Sequence, residues 1–356
     1  MGLGLGLGIW WPIQTSIIPG LLKALCARAT YCENKTCTTA ILEEIAAVRY
    51  TPPPPPPPET RFVISVKTDN AGASNDNQYT LGWQGTYDVD WGDGNNDLGV
   101  VDFQTHTYAS PGTYDVKVTA TSGRWAIGNG GDRFKNIDIL NWGTCAWTSM
   151  AQTLNTWRGN KNITATDIPN LTQCTDMSKM FQRAHFETVN LVGWDVSNVI
   201  TMSEMFREVG NFAAYDPIID VSEWDISNCS NIRYMFNDYG TLGNIGNNGY
   251  IGDISNWDTG NVIQMDSFAK SGVIAGPNFT AANWDVSSVI NAMQIGIPQT
   301  IENYNASLIN FASQSPQSNL VCNFGANQYT IGGAAEAARN TLINTYGWTI
   351  TDGGGI

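Results

Sequence analysis

The sequence predicts a multidomain, mainly β protein with short helices, in which a small all-β domain precedes an α/β solenoid of stacked repeats. Two observations carry this. The phrase Gly193-Trp194-Asp195-Val196-Ser197-Asn198-Val199 returns at Trp224-Asp225, Trp257-Asp258 and Trp284-Asp285, with the tryptophans 30, 33 and 27 residues apart. That period belongs to stacked repeat arrays. Upstream, Val63 with Ser65, and Tyr114, Val116 and Val118 with Asp115 and Lys117, alternate with the period of a β-strand, and Gly and Pro clusters mark the turns between.

Residues 1–50 form the first segment. Leu3, Leu5, Leu7 and Ile9 alternate with glycines, so an extended chain places the four apolar side chains on one face and a bare backbone on the other. A glycine face admits another backbone at close range. Trp10, Trp11 and Pro12 follow. The first basic residue, Lys23, comes after the apolar stretch, unlike a signal peptide. Gly6 stands where a myristoylation signal needs Ser or Thr, and no run of about 18 apolar residues is present to span a bilayer. An apolar tail calls for a covering partner. Leu3, Leu5, Leu7, Ile9, Trp10 and Trp11 are therefore expected to anchor the chain to another protein, with no membrane insertion. Ala40 to Val48 reads as a short helix. Residues 51–59 contain Pro52 to Pro58 unbroken, a stiff spacer of about 22 Å in polyproline II geometry.

Residues 60–122 read as the all-β domain. The run Asp88, Asp90, Asp93, Asp97 invites a calcium loop, but Gly92 falls where an oxygen ligand belongs and Gly99 where the bidentate Glu belongs. Turn hydrogen bonds are the expected use of these carboxylates, and His106 is expected to pack or hydrogen-bond. The other histidine, His185, lies far along the chain, so no catalytic, cofactor-binding or metal site is expected.

Residues 123–300 hold the repeats. Val199, Met202 and Phe206 sit at i, i+3 and i+7, which predicts a short helix capped by Ser197 or Asn198. Leu191, Val221, Ile254 and Ala281, each three residues before a Trp, suit short strands. The predicted unit is strand, Trp-Asp turn, short helix. Two turns of helix are unstable alone, so the units must stack. Asp195, Asp225, Asp258 and Asp285 are expected to accept backbone N–H bonds rather than bind calcium. Aligning an earlier copy at Asn170 to Phe181 puts Cys174 and Cys229 in the column of Val199, Val262 and Val289, as small buried hydrophobes. Residues 301–356, with Gly332 to Leu342 and Gly347 to Gly354, read as a closing helix and strand.

The repeats, best preserved from Trp194 to Phe206 and Trp224 to Phe236, resemble the BspA-type leucine-rich-repeat-like families of bacterial surface and phage-associated proteins. The phrases Val89-Asp90-Trp91-Gly92-Asp93-Gly94 and His106-Thr107-Tyr108 through Pro111-Gly112-Thr113-Tyr114 resemble a PKD domain, which implies that residues 60–122 form an immunoglobulin-like β-sandwich used as an extracellular spacer or binding module. The glycine-patterned start is similar to the beginnings of tailed-phage structural proteins.

The formal net charge is −14 with 14% charged residues. Such a surface argues against nucleic acid, whose binding needs Lys and Arg, and is repelled by anionic membranes. Seven cysteines cannot all pair, and the state of Cys26, Cys32 and Cys37 stays open. The order of parts suggests a non-enzymatic bacteriophage virion protein without cofactor. Residues 1–50 would contact other virion proteins, and many copies would present the modules on the particle surface to a host protein or glycan. A bacterial cell-surface adhesin is the alternative.

Overall fold

The computed structural model describes residues 58–356 apart from 128–129, 156–161, 186–188, 210–217, 240–248, 270–272 and 277. The chain divides into two units, Met1–Pro58 and Glu59–Ile356. The expected anchor, the helix at Ala40 to Val48, the polyproline run through Pro57 and Cys26, Cys32 and Cys37 lie outside the described residues.

The second unit is mainly β, with several sheets. Its first strands are Phe62–Lys67 (β1), Gln78–Leu81 (β2), Trp83–Gln84 (β3), Thr86–Asp90 (β4), Asn96–Val101 (β5), Gln104–Thr107 (β6), Thr113–Thr119 (β7), Ser122–Trp125 (β8), Asn136–Asn141 (β9), Ala146–Trp147 (β10) and Asn162–Ile163 (β11). One sheet has the order β11-β9-β1-β7-β4-β5. β1 is central, antiparallel to both β7 and β9, which explains its nearly continuous burial. The alternation read from sequence holds in β7, where Val116 and Val118 are buried and Asp115 is exposed, but not in β1, where Val63 and Ser65 are both buried because the strand lies between two neighbours. β9 and β11 join this sheet from beyond residue 122.

Phe62 is the centre of the aromatic core. Its ring lies 5.8 Å from Trp83, 5.2 Å from Trp125, 6.3 Å from Trp142 and 5.1 Å from Trp147. Trp142 in turn meets Trp194 edge-on at 5.4 Å. One cluster therefore runs from the first strand into the first Trp-Asp phrase.

From there the chain runs in successive rungs. β10 pairs in parallel with β8, and the Trp147 N–H donates to Asn170 O at 2.9 Å. The next rungs continue through parallel bridges Asp176–Thr201, Thr201–Asn231 and Asn231–Gln264. Val199, Met202 and Phe206 are fully buried, as are their counterparts Cys229, Ile232 and Phe236.

The expected short helices are absent from these rungs; tandem turns take their place. The N–H groups of Met202, Glu204, Phe206 and Glu208 donate to the carbonyls of Asn231, Arg233, Met235 and Asn237 in the next rung at 2.9–3.0 Å. Met205, Arg207 and Val209 close turns within the rung, donating to Met202, Glu204 and Phe206. Spacing explains the difference. Packed helices need about 8–10 Å between axes, whereas hydrogen-bonded neighbours sit about 4.8 Å apart. Phe181, Phe206 and Phe236 stack at 5.3 and 5.4 Å with interplanar angles of 10° and 4°, leaving no room for a helix. The turns put Gln152, Lys179, Glu204, Tyr234 and Ser267 at φ between 52° and 61°, in one aligned column. Leu191, Val221, Ile254 and Ala281, expected in strands, are buried within turns instead.

The last strands are Gly249–Tyr250 (β12), Met265–Ala269 (β13), Val273–Ile274 (β14), Ala292–Ile295 (β15), Val321–Asn323 (β16) and Thr349–Thr351 (β17). β13-β15-β16-β17 form a parallel sheet. Helix α1 (Ile301–Ser313) connects β15 to β16, and α2 (Ala334–Asn344) connects β16 to β17. α1 is capped by Thr300, whose hydroxyl accepts from the Asn303 N–H, and buries Tyr304, Ser307, Leu308 and Phe311 on one face. The closing helix and strand follow the sequence reading. Arg339 Nε donates to Asp352 Oδ2 at 2.8 Å and Tyr304 OH donates to the same oxygen at 2.9 Å, tying both helices to the chain after β17.

Two outcomes follow. Phe62→Ala is expected to lower stability by about 3–5 kcal/mol, and urea melts should show the loss in one transition, because the cluster runs from β1 into the rungs. Gln152→Gly distinguishes turn from helix: a helix would lose about 1 kcal/mol, whereas relief of left-handed strain is worth about 1–2 kcal/mol before chain entropy, so thermal melting should show no loss.

Candidate functional site: the Trp-Asp edge of the rungs

Each Trp-Asp phrase is a turn that also fastens one rung to the one before. Trp224 Nε1 donates to Leu191 O at 3.5 Å, Trp257 Nε1 to Val221 O at 3.1 Å and Trp284 Nε1 to Ile254 O at 3.1 Å. The accepting residues are those three positions before the preceding Trp. This explains why an apolar residue recurs there: its side chain fills the core while its carbonyl receives the indole N–H.

The aspartates act as expected, in backbone hydrogen bonding, though at turns rather than helix starts. Asp195, Asp225, Asp258 and Asp285 each accept the N–H two residues on, at 3.1, 2.9, 3.0 and 2.9 Å. Bonds from Ser227 hold the Asp225 carboxyl below the ordinary carboxylate range. Asn198 is not a helix cap. Its amide donates back to Thr172 O at 3.4 Å, and Asn228 and Asn261 donate to Ser197 O and Ser227 O at 2.8 and 2.7 Å.

Charge is divided between two edges. The segments 190–200, 218–231, 250–264 and 278–292 contain Asp195, Asp220, Glu223, Asp225, Asp253, Asp258 and Asp285 and no Lys or Arg. The tandem turns carry Lys179, Arg183, Arg207 and Arg233, and these are matched by acids: Lys179 and Arg207 by Glu204, Arg183 and Arg207 by Glu208, Arg233 by Asp266. Beside the acidic turns, Ile200, Ile263 and Ile290 are exposed. They occupy equivalent positions along the N–H ladder Ile200 to Thr175, Ser230 to Ile200, Ile263 to Ser230 and Ile290 to Ile263.

Cys174 and Cys229 are buried as the alignment expects, and burial pushes both thiols up to about 11. That is far from the thiolate a metal or redox role requires.

Among the N-terminal strands, the four aspartates each hold a turn or a side chain. Asp88 accepts from Gly99 N–H, Asp90 from Gly92 N–H and Asp97 from Trp91 Nε1. Asp93 Oδ2 lies 2.9 Å from His106 Nε2, and the His106 ring stacks on Trp91 at 4.8 Å. His106 thus packs and hydrogen-bonds, as read from sequence. Sequence reasoning missed Asp132 and Lys135. Asp132 accepts the N–H groups of Ala73, Ser74 and Thr80 and the Ser74 hydroxyl. The fully buried Lys135 ammonium donates to the carbonyls of Ser74, Asn75 and Gln78. Together they close the 73–80 loop. Their partners are mostly backbone atoms, which leave no mark in sequence.

Burial alone would raise the Asp132 carboxyl; the bonds from Ser74 and Thr80 and the charge of Lys135 outweigh it and hold the group below its ordinary value. Asp93 is lowered in the same way, its burial outweighed by His106 and Asn95. A carboxyl lowered on folding contributes stability above its unfolded value of about 4, and loses it as pH falls through the folded value. Asp132→Asn is therefore expected to cost about 2 kcal/mol or more at neutral pH. Melting curves of the two proteins should converge as pH drops below about 4.

Residues 148–248 and 246–320 match a family described as "Mycoplasma protein of unknown function, DUF285". No curated protein and no solved structure matches the chain. The matched stretches cover the rungs and the first helix after them, so it is this part of the chain that is similar to that family.

Proposed function

We propose that the chain is a non-enzymatic structural protein of a bacteriophage virion, present in many copies on the particle surface. Residues 1–50 dock it to other virion proteins, the polyproline run spaces it, and a PKD-like sandwich and BspA-type solenoid face the host. One observation carries the outward-facing role. From Trp194 to Trp284 each rung offers the same turn, in register, on a frame joined by backbone bonds. Such a frame holds repeated shallow contacts at fixed spacing, which suits adhesion to a protein or glycan surface. The alternating apolar face of Leu3, Leu5, Leu7 and Ile9 supports the docking role.

A bacterial cell-surface adhesin is the second reading, favoured by the bacterial source in the matched family's description. Antibody against residues 60–356, applied to purified particles and to uninfected cells, separates the two. Gold label on particles is the expected result; label confined to cell envelopes supports the adhesin. Removing residues 1–50 should abolish incorporation into particles, and incorporation of the shortened chain would overturn the anchor.

A further inference from the structure

Between the first two complete Trp-Asp turns lies a cleft of about 230 Å³, lined by Leu191, Val192, Gly193, Trp194, Asp220, Glu223 and Trp224. Small-molecule sites occupy about 300–1,000 Å³, so this one has the size for a single long side chain. Its wall is apolar and its rim acidic. Val192 is 67% exposed, and Glu223, also exposed, makes no hydrogen bond or ion pair among the described residues. Asp220 accepts the N–H and the hydroxyl of Ser222 at Oδ1.

We propose that this cleft receives a lysine or arginine side chain of a partner protein. The aliphatic stem lies along Val192 and the indole edges, and the cation meets Glu223 and Asp220. Long basic side chains are built for such a division, apolar along the stem and charged at the tip. Charge complementarity selects this occupant: the whole edge carries seven carboxylates and no basic residue, while the basic residues of the tandem turns are engaged on the other edge. A neutral sugar is a poorer fit. Sugars stack on open aromatic faces, and Trp194 and Trp224 are each only 5% exposed. Polyanions meet repulsion along the edge. The proposal names the chemistry of the partner in the adhesion reading above and rests on that reading for its biological setting.

The test is fluorescence anisotropy of the full chain with a labelled short peptide of alternating arginine and leucine, and with the same peptide carrying glutamate for arginine. Only the basic peptide should bind. Glu223→Lys should weaken it by about tenfold, equivalent to about 1.4 kcal/mol. Asp76→Lys makes the same change of charge at an exposed site that does not line the cleft, and its effect should stay under about twofold. Both sites are exposed, and unchanged thermal melts would verify folding. Equal weakening by both substitutions, an unchanged affinity in Glu223→Lys, or equal binding of the acidic peptide overturns the cleft. Host-cell binding by wild type that survives in Glu223→Lys would remove the cleft as the contact while leaving the display role intact; absence of host-cell binding with the peptide result intact would do the reverse.

Discussion

The backbone hydrogen bonds that join each rung to the next constrain everything else in the stacked region. Because they reach from every second residue, neighbouring rungs are held at the separation of paired strands. The core positions must then carry residues that tolerate stacking on their own kind at that distance. Phe181, Phe206 and Phe236 do so face to face, and Met180, Met205 and Met235 follow beside them. Where the column changes to Phe268, the ring turns edge-on to Phe236 at 83°, and the rung there becomes a strand in the closing parallel sheet.

The same spacing explains the polar part of the repeat. Indole N–H groups and asparagine amides both donate across to the preceding rung, so Trp and Asn recur because a neighbour's carbonyl waits at a fixed distance. The aspartates belong to a different category: their bonds are local, two residues on, and shape the turn rather than the stack. Local use of one oxygen leaves the charge exposed. Repetition then lines up one carboxylate per turn along an edge, an electrostatic consequence of a conformational requirement.

Stacking needs a beginning, and the strands that precede the rungs supply it. β10 pairs with β8, so the first rung is laid on a strand already held by β3. The Phe62 cluster spans the same junction. An edge strand that would otherwise invite another chain is thereby covered. At the other end, α1 and α2 cross over between the last parallel strands, and the Arg339–Asp352–Tyr304 bonds fasten them.

Much of this was legible in the amino-acid order: the repeat period, the buried Val, Met and Phe columns, the alternation in β7, the use of the aspartates as acceptors of backbone N–H groups, and the closing helix and strand. The first helix, absent from the sequence expectations, has its signal in Thr300 ahead of Tyr304, Leu308 and Phe311. The tandem turns were not legible. Spacing of i, i+3 and i+7 describes burial on one side of a tight turn series as well as on a helix, and the left-handed positions are held by Gln, Lys, Glu, Tyr and Ser rather than Gly or Asn. The sequence by itself determined which residues are buried and how often the pattern returns, because hydrophobic burial follows residue type. Only the tertiary structure decided between helix and turn, and which carboxylates share an edge, because both depend on the distance between rungs, a property of pairing that no single repeat contains.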